Sequence, residues 1–243
     1  LKGDWRGAID RHIDIGAEAI SPIFKWDYEH TLSDFTGDLS KQAIIDAIGE
    51  SIAYMKRQKV RVVPWIVDTM RGPADSACQF YKAMVDAGTD GVYLVDSRGN
   101  SNPLATRTFV HKVRQAVGPT CDVYVQHQND MGVATACAIA AVEGGANWTD
   151  ASVIGIGDRG GCVALEEAAA LFEMYGYSTG IKLEGLYELC RYVQKAYGVE
   201  LAPWKCIVGE NWNKEEGVGH LEGSSEAEAT IGIAPKVVGR EFE

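Results

Sequence analysis

Five times along the chain, a short apolar run ends in a cluster of polar residues and then opens into a stretch with helical spacing. That alternation constrains the fold more than any other feature. Strands separated by single helices over short links lie parallel, because each crossover returns the chain to the same end of the sheet. Segments 17–26, 60–67, 91–95, 122–128 and 149–156 read as the strands. Segment 40–58 reads as a helix behind a Ser40 N-cap, with Ile44, Ile45, Ile48, Ile52 and Met55 on one stripe. Segment 73–87 is closed by Gly88, and 103–117 carries Pro103 near its start and Gly118 just past its end. Helices over 133–142 and 164–175 follow the last two strands, and further amphipathic helices cover 4–15 and 183–197. The remainder is Gly- and Glu-rich with little periodicity.

Five such units fit either an open α/β sheet or the later part of a barrel of about eight strands. In both, chemistry collects at the C-terminal ends of the strands. Here those ends are Asp68-Thr69-Met70-Arg71, Asp96-Ser97-Arg98-Gly99, Gln126-His127-Gln128-Asn129-Asp130 and Asp158-Arg159, with Cys162 close behind. A formal net charge of −11 argues against a nucleic-acid or anionic-membrane partner but allows a local basic pocket for a small anion. No apolar run approaches a bilayer span, and the opening residues lack the apolar core of a signal peptide. The six cysteines form no Cys-x-x-Cys pair, so reduced thiols and a cytoplasmic location are expected.

In this order the motifs resemble the isopropylmalate synthase, homocitrate synthase and hydroxymethylglutaryl-CoA lyase superfamily of metal-dependent barrels. Asp68-x-x-Arg71 is similar to that family's acidic-Asp-x-x-Arg strand end, and Asp96-Ser97-Arg98-Gly99 with Pro103 to its Asp-Thr-Val-Gly…Pro. Gln126-His127-Gln128-Asn129-Asp130-x-Gly132 falls on His-x-His-Asn-Asp-x-Gly. The run from Gly155 to Cys162, followed by Leu165-Glu166-Glu167, falls on Gly-x-Gly-Glu-Arg-x-Gly-Asn…Leu-Glu-Glu. Val208-Gly209-Glu210-Asn211 and Gly219-His220-x-x-Gly223 resemble the synthases' post-barrel linker. The resemblance implies a TIM (β/α)8 barrel, of which this chain shows the later five strand–helix units. Residues 1–180 would be the C-terminal portion of the barrel, and 181–243 the final helix and linker. Strands one to three, with an Arg-Asp-Gly segment that supplies a metal-binding Asp and a catalytic Arg, would lie outside this sequence.

In the family, two histidines, an Asp and in some members an Asn hold a divalent metal that polarises a 2-oxo acid. Here the histidine positions are Gln126 and Gln128 and the Asn position is Cys162, so the expectation is that no metal is held. Val67 stands where the synthases carry a Glu near the reacting carbon, Ser97 replaces Thr, and Asp158 replaces Glu. Strand alternation turns His127 toward the helices if Gln126 and Gln128 face inward. Asp68 and Arg71 form either a ligand-facing pair or a buried brace. Asp96 is expected to brace its turn, with Ser97 offering a hydroxyl to a ligand, and Arg98 either grips a substrate carboxylate or sits on a surface turn. Asp158 and Arg159 are expected to hold their loop. Lys25 is either solvated or a Schiff-base nucleophile, and Cys162 either a buried thiol or one with a lowered pKa.

The function implied is carbon–carbon bond formation between acyl-CoA, such as acetyl-CoA, and a 2-oxo acid. His220, Arg98 and Asp68 are the expected catalytic residues, and Gln126, Gln128, Ser97, Arg71, Asn129 and Cys162 line the substrate. The alternatives are a non-catalytic paralogue partnering an active synthase and a metal-free aldolase or lyase. A homodimer, or a dimer with a paralogue, follows from the same resemblance.

Overall fold

The computed structural model describes residues 4–25, 40–214 and 232–242, the side chains of Lys25 and Lys41 excepted. Helix α1 (Trp5–Asp14) is followed by β1 (Ala19–Ile20), β2 (Ile23–Lys25), α2 (Lys41–Arg57), β3 (Arg61–Val62) and β4 (Trp65–Val67). Then come α3 (Ala74–Asp86), β5 (Gly91–Asp96), α4 (Pro103–Val117), β6 (Asp122–His127), α5 (Ala134–Glu143) and β7 (Trp148–Thr149), and finally α6 (Leu165–Met174) and α7 (Leu186–Tyr197). The strands β2-β4-β5-β6-β7 form one parallel sheet in sequence order, and β1 pairs with β3 in a second parallel ladder. Each of the first two expected strands is therefore split. Pro22 and Pro64 sit at the breaks, where a residue without an N–H cannot donate to a ladder. Each proline carbonyl still accepts from the next strand, Pro22 from Trp65 N–H at 2.9 Å and Pro64 from Tyr93 N–H at 3.0 Å.

The caps follow the sequence signals. Ser40 accepts from Ala43 N–H at 3.2 Å, Asn102 from Ala105 N–H at 2.9 Å, and Pro103 opens α4. Contacts cluster the chain into two units. The first comprises Leu1–Asp150 with Asp158–Cys162, and the second Ala151–Gly157 with Val163–Glu243. The core of the first lies between the outer face of the sheet and the helices. Ile52 and Met55 of α2, Ile66 of β4, Tyr81 and Met84 of α3, Val92 and Leu94 of β5, Val113 of α4 and Val123 and Val125 of β6 are fully buried there. The opposite face of the sheet carries an in-register aromatic row: Trp65, Tyr93, Tyr124 and Trp148 stack from strand to strand with centroids 5.4–5.5 Å apart.

The second unit is built around Ile154, Ala169, Ala170, Leu186, Cys190, Ile207, Val208 and Val238. Buried Arg240 donates to the carbonyls of Ile207 and Gly209, at 2.8 and 2.6 Å, and lies over the Tyr187 ring. A side chain at Gly209 would meet the Pro203 carbonyl at 2.4 Å, which accounts for glycine in the Val208-Gly209-Glu210-Asn211 motif.

The expected strand over 149–156 is corrected. Pairing ends after Thr149, and a 3-10 turn occupies Val153–Gly155. Ile154 sits in the left-handed region at φ 54°, where a β-branched side chain is disfavoured. The buried Glu166 carboxylate holds it there by accepting from Ile154 N–H at 2.9 Å.

Candidate active site at the strand ends

Asp68, directly after β4, adopts φ 56°, in the left-handed region. Its backbone N–H donates to Ser97 Oγ at 2.9 Å, tying the ends of β4 and β5 together. The carboxylate is shared by two arginines: Arg71 Nε lies 2.7 Å and Arg98 Nε 3.3 Å from the same oxygen. Burial raises the Asp68 pKa, and the two guanidiniums oppose that rise. The trio carries two positive charges against one negative, and Arg98 keeps more than half of its side-chain surface open. Asp68 and Arg71 form an ion pair at the strand end, and Arg98 joins it from an exposed position. Asp96 points to the helix side, nearly inaccessible, and accepts from Ser101 N–H at 3.0 Å, so it braces its turn as expected.

At the end of β6, burial alternates residue by residue, with Val123, Val125 and His127 inaccessible and Tyr124 and Gln126 partly open. His127 therefore packs on the helix side, where both ring nitrogens lack a hydrogen-bond partner among the described residues. Burial lowers its pKa to about 4, against a small opposing pull from Asp96, so the ring is neutral. Gln126 and Gln128 take the other parity. Gln128 forms an isolated antiparallel bridge with Cys162, which places the two substituted family positions side by side. Its side-chain oxygen is buried without a partner among the described residues. Asn129 accepts from Ala134 N–H at 3.0 Å, which commits its carboxamide oxygen to the start of α5.

The loops behind these residues are cross-braced. Arg159 grips Asp130 through both carboxylate oxygens, at 2.7 and 2.9 Å, and donates to the Ser97 carbonyl at 2.7 Å. Gly160 lies so close to Asp130 that a Cβ would meet its Cα at 2.8 Å. Arg159 thus holds its loop as expected, with Asp130 rather than Asp158 as the clamped carboxylate. His220 lies outside the described residues, as does the side chain of Lys25.

Of the positions that hold the metal in the family, the three on this chain carry two neutral amides and a thiol. Hard divalent ions select carboxylate oxygens and zinc selects imidazole or thiolate clusters, so these three residues are a poor match for the group. No cluster of three His, Cys, Asp or Glu able to hold a metal occurs among the described residues.

One inward carboxylate was not anticipated. Asp150 follows β7, and its N–H donates to the Val125 carbonyl at 2.9 Å, which sets it abreast of Gln126. Burial raises its pKa, and the Tyr93 phenol lowers it against that rise. An acidic residue inside an apparently apolar strand, at the parity of the inward residues, was the signal that could have found it.

Comparison with known proteins places this arrangement. The HMGL-like family profile matches residues 31–193. A 2-isopropylmalate synthase of Methanocaldococcus jannaschii is 33% identical over 234 residues, 96% of this chain and 44% of that protein. Homocitrate synthase AksA of Methanopyrus kandleri is 33% identical over 241 residues, 98% of this chain and 59% of that protein. The chain thus spans about half the length of these relatives. Among solved structures, the HMG-CoA lyase of Bacillus subtilis superposes with a TM-score of 0.68 at 17% identity, over 81% of this chain and 69% of that one, which is a likeness of fold. With the strand-end motifs, the sequence-ordered parallel sheet and these matches in agreement, the chain belongs to the HMGL-like family.

Proposed function

We propose that the protein condenses an acyl-CoA thioester with a 2-oxo acid without a divalent metal. The observation that carries this reading is the pair of arginines sharing Asp68 at the strand ends. Arg98, assisted by Arg71, takes the 2-oxo acid's carboxylate, since a guanidinium fork matches a carboxylate edge to edge. Ser97, Asn129, Gln126, Gln128 and Cys162 line the remaining rim. The amide N–H groups of Gln126 and Gln128 face the keto oxygen and stabilise the negative charge that develops on it, the work of an oxyanion hole. The thioester α-carbon loses a proton and attacks the keto carbon. The resulting alkoxide is protonated, and water then cleaves the thioester to release free CoA and a 2-hydroxy acid with one carboxylate more than the 2-oxo acid.

The test is thiol release from acetyl-CoA with a panel of small, branched and dicarboxylic 2-oxo acids, in the presence of a chelator. Turnover persists in chelator under this reading. Arg98→Ala raises KM for the 2-oxo acid roughly 10- to 100-fold, the loss of one charge-assisted contact, and Arg98→Lys restores part of it. Turnover abolished by chelator and restored by one equivalent of metal contradicts it.

A second reading is favoured by the same substitutions. Gln126, Gln128, Cys162 and Val67 together remove the family's metal and its inward Glu, as expected of a non-catalytic paralogue that pairs with an active synthase and lends His220 to the shared site. Co-purification with a synthase subunit, and no turnover alone, supports it; turnover by the isolated homodimer excludes it.

A further inference from the structure

Three of the acidic side chains at the strand ends are already committed. Asp68 is shared by two arginines, Asp96 accepts from the Ser101 backbone, and Asp130 is clamped by Arg159. None of these can readily take a proton from carbon, because each negative charge is neutralised or held by donors. Asp150 differs: what lowers its pKa is a neutral phenol, Tyr93, and no cation. Tyr93 is held well above its ordinary pKa by burial and by Asp150 itself, so the phenol stays protonated beside the carboxylate.

The ladder fixes where this pair sits. Tyr124 pairs with Trp148 and Val125 with Thr149, and Asp150 N–H donates to the Val125 carbonyl, so Asp150 stands level with Gln126 on the neighbouring strand. Val95 is the partner of Gln126 on the other side. Trp65 pairs with Tyr93, which sets Val67 level with Val95. Val67, Val95, Gln126 and Asp150 therefore form one row, directly above the stacked aromatic row. The inward Glu that the synthases carry at the Val67 position is missing from that row, and Asp150 returns a carboxylate to it from another strand. Two strand spacings, about 10 Å, separate Asp150 from the strand that carries Arg98. That distance suits a substrate whose carboxylate rests at Arg98 and whose reacting carbons lie over Gln126.

Resting on the condensation reading above, we propose that Asp150 is the proton-transfer group of this site and Tyr93 its positioning residue. The Asp150 carboxylate takes a proton from the thioester α-carbon, leaving the electron pair on the enolate. The enolate forms the new carbon–carbon bond. The carboxylic acid then returns its proton to the alkoxide, and Asp150 is regenerated as carboxylate. The aromatic row beneath supports the group. Burial raises the carboxyl's pKa, which makes it a better base than an ordinary aspartate, while the residue stays exposed to solvent.

The experiment is deuterium uptake from D2O into the acetyl group of acetyl-CoA, read by mass spectrometry with a 2-oxo acid present, alongside calorimetric binding of that 2-oxo acid. The unsubstituted protein exchanges. Asp150→Asn lowers exchange at least 100-fold with 2-oxo acid affinity held within about threefold, and Asp150→Glu recovers part of the rate. Tyr93→Phe keeps exchange but moves the midpoint of its pH profile upward, because losing the phenol that lowers it raises that carboxyl's pKa. Exchange undiminished in Asp150→Asn overturns the assignment, and an unmoved midpoint in Tyr93→Phe overturns the positioning role. If Asp150→Asn does not fold, the Tyr93→Phe midpoint decides the question. No exchange in the unsubstituted protein overturns the condensation reading and this assignment with it.

Discussion

His127 shows how much one side chain's parity decides. It is the histidine in Gln126-His127-Gln128-Asn129-Asp130 that invites a catalytic role, and it is buried on the helix side with no partner for either nitrogen among the described residues. Each unpaired buried nitrogen costs on the order of 1–3 kcal/mol, so His127→Leu, of similar volume, stabilises the protein by about 1–3 kcal/mol at pH 7 in urea unfolding. The sign of the pH dependence follows from its lowered pKa. A histidine with a folded pKa of about 4 and an unfolded pKa near 6.5 favours the fold fully above pH 6.5, and that contribution is lost as pH falls toward 4. The whole loss amounts to roughly 3 kcal/mol, and His127→Leu should flatten the stability curve across that window. Unchanged acid sensitivity in the variant contradicts the assignment. This residue's orientation was legible beforehand, because a period of two fixed by flanking valines is a strong signal. The surroundings of Asp150 were not, since Tyr93, which lowers its pKa, lies far away in sequence.

At the scale of elements, helix starts and stops were legible because caps are local chemistry: Ser40, Pro103 and Gly118 act within a turn of their own helix, and the structure adds Asn102 as the cap before Pro103. The last strand was not, because its end is enforced by Glu166, twelve positions on, capturing the Ile154 amide. The splits in the first two strands were visible as Pro22 and Pro64, yet continuous apolar character masked them. Between elements, the strand-end loops are tightly interlocked at Gly99. It sits at φ 61°, and a Cβ there would come within 2.6 Å of Asp130 N and of the Gln128 carbonyl oxygen. Gly99→Ala combines backbone strain with a clash against main chain, and should cost at least ~2 kcal/mol. It should also weaken 2-oxo acid binding, because the loop it displaces carries Gln128 and Asn129. Full stability with unchanged binding would show that the loop is looser than these contacts require.

For the molecule as a whole, strand order was the most predictable feature. Strand–helix repeats predict a parallel sheet, the barrel that the motifs imply sets its strands in sequence order, and the sheet β2-β4-β5-β6-β7 follows that order. Of the candidate site, the motifs gave the residues at the strand ends, whereas the sharing of Asp68 between Arg71 and Arg98 and the pairing of Gln128 with Cys162 arise from folding. In the proposed chemistry, amides and guanidiniums take the place that a metal has in the family. The most direct test is calorimetric titration of chelator-treated protein, its metal content measured, with a 2-oxo acid before and after adding Mn2+ or Zn2+. The account predicts binding without metal and an affinity unchanged within about twofold on addition. Binding that appears only with one equivalent of metal, and is lost in Gln126→Ala or Gln128→Ala, would contradict it.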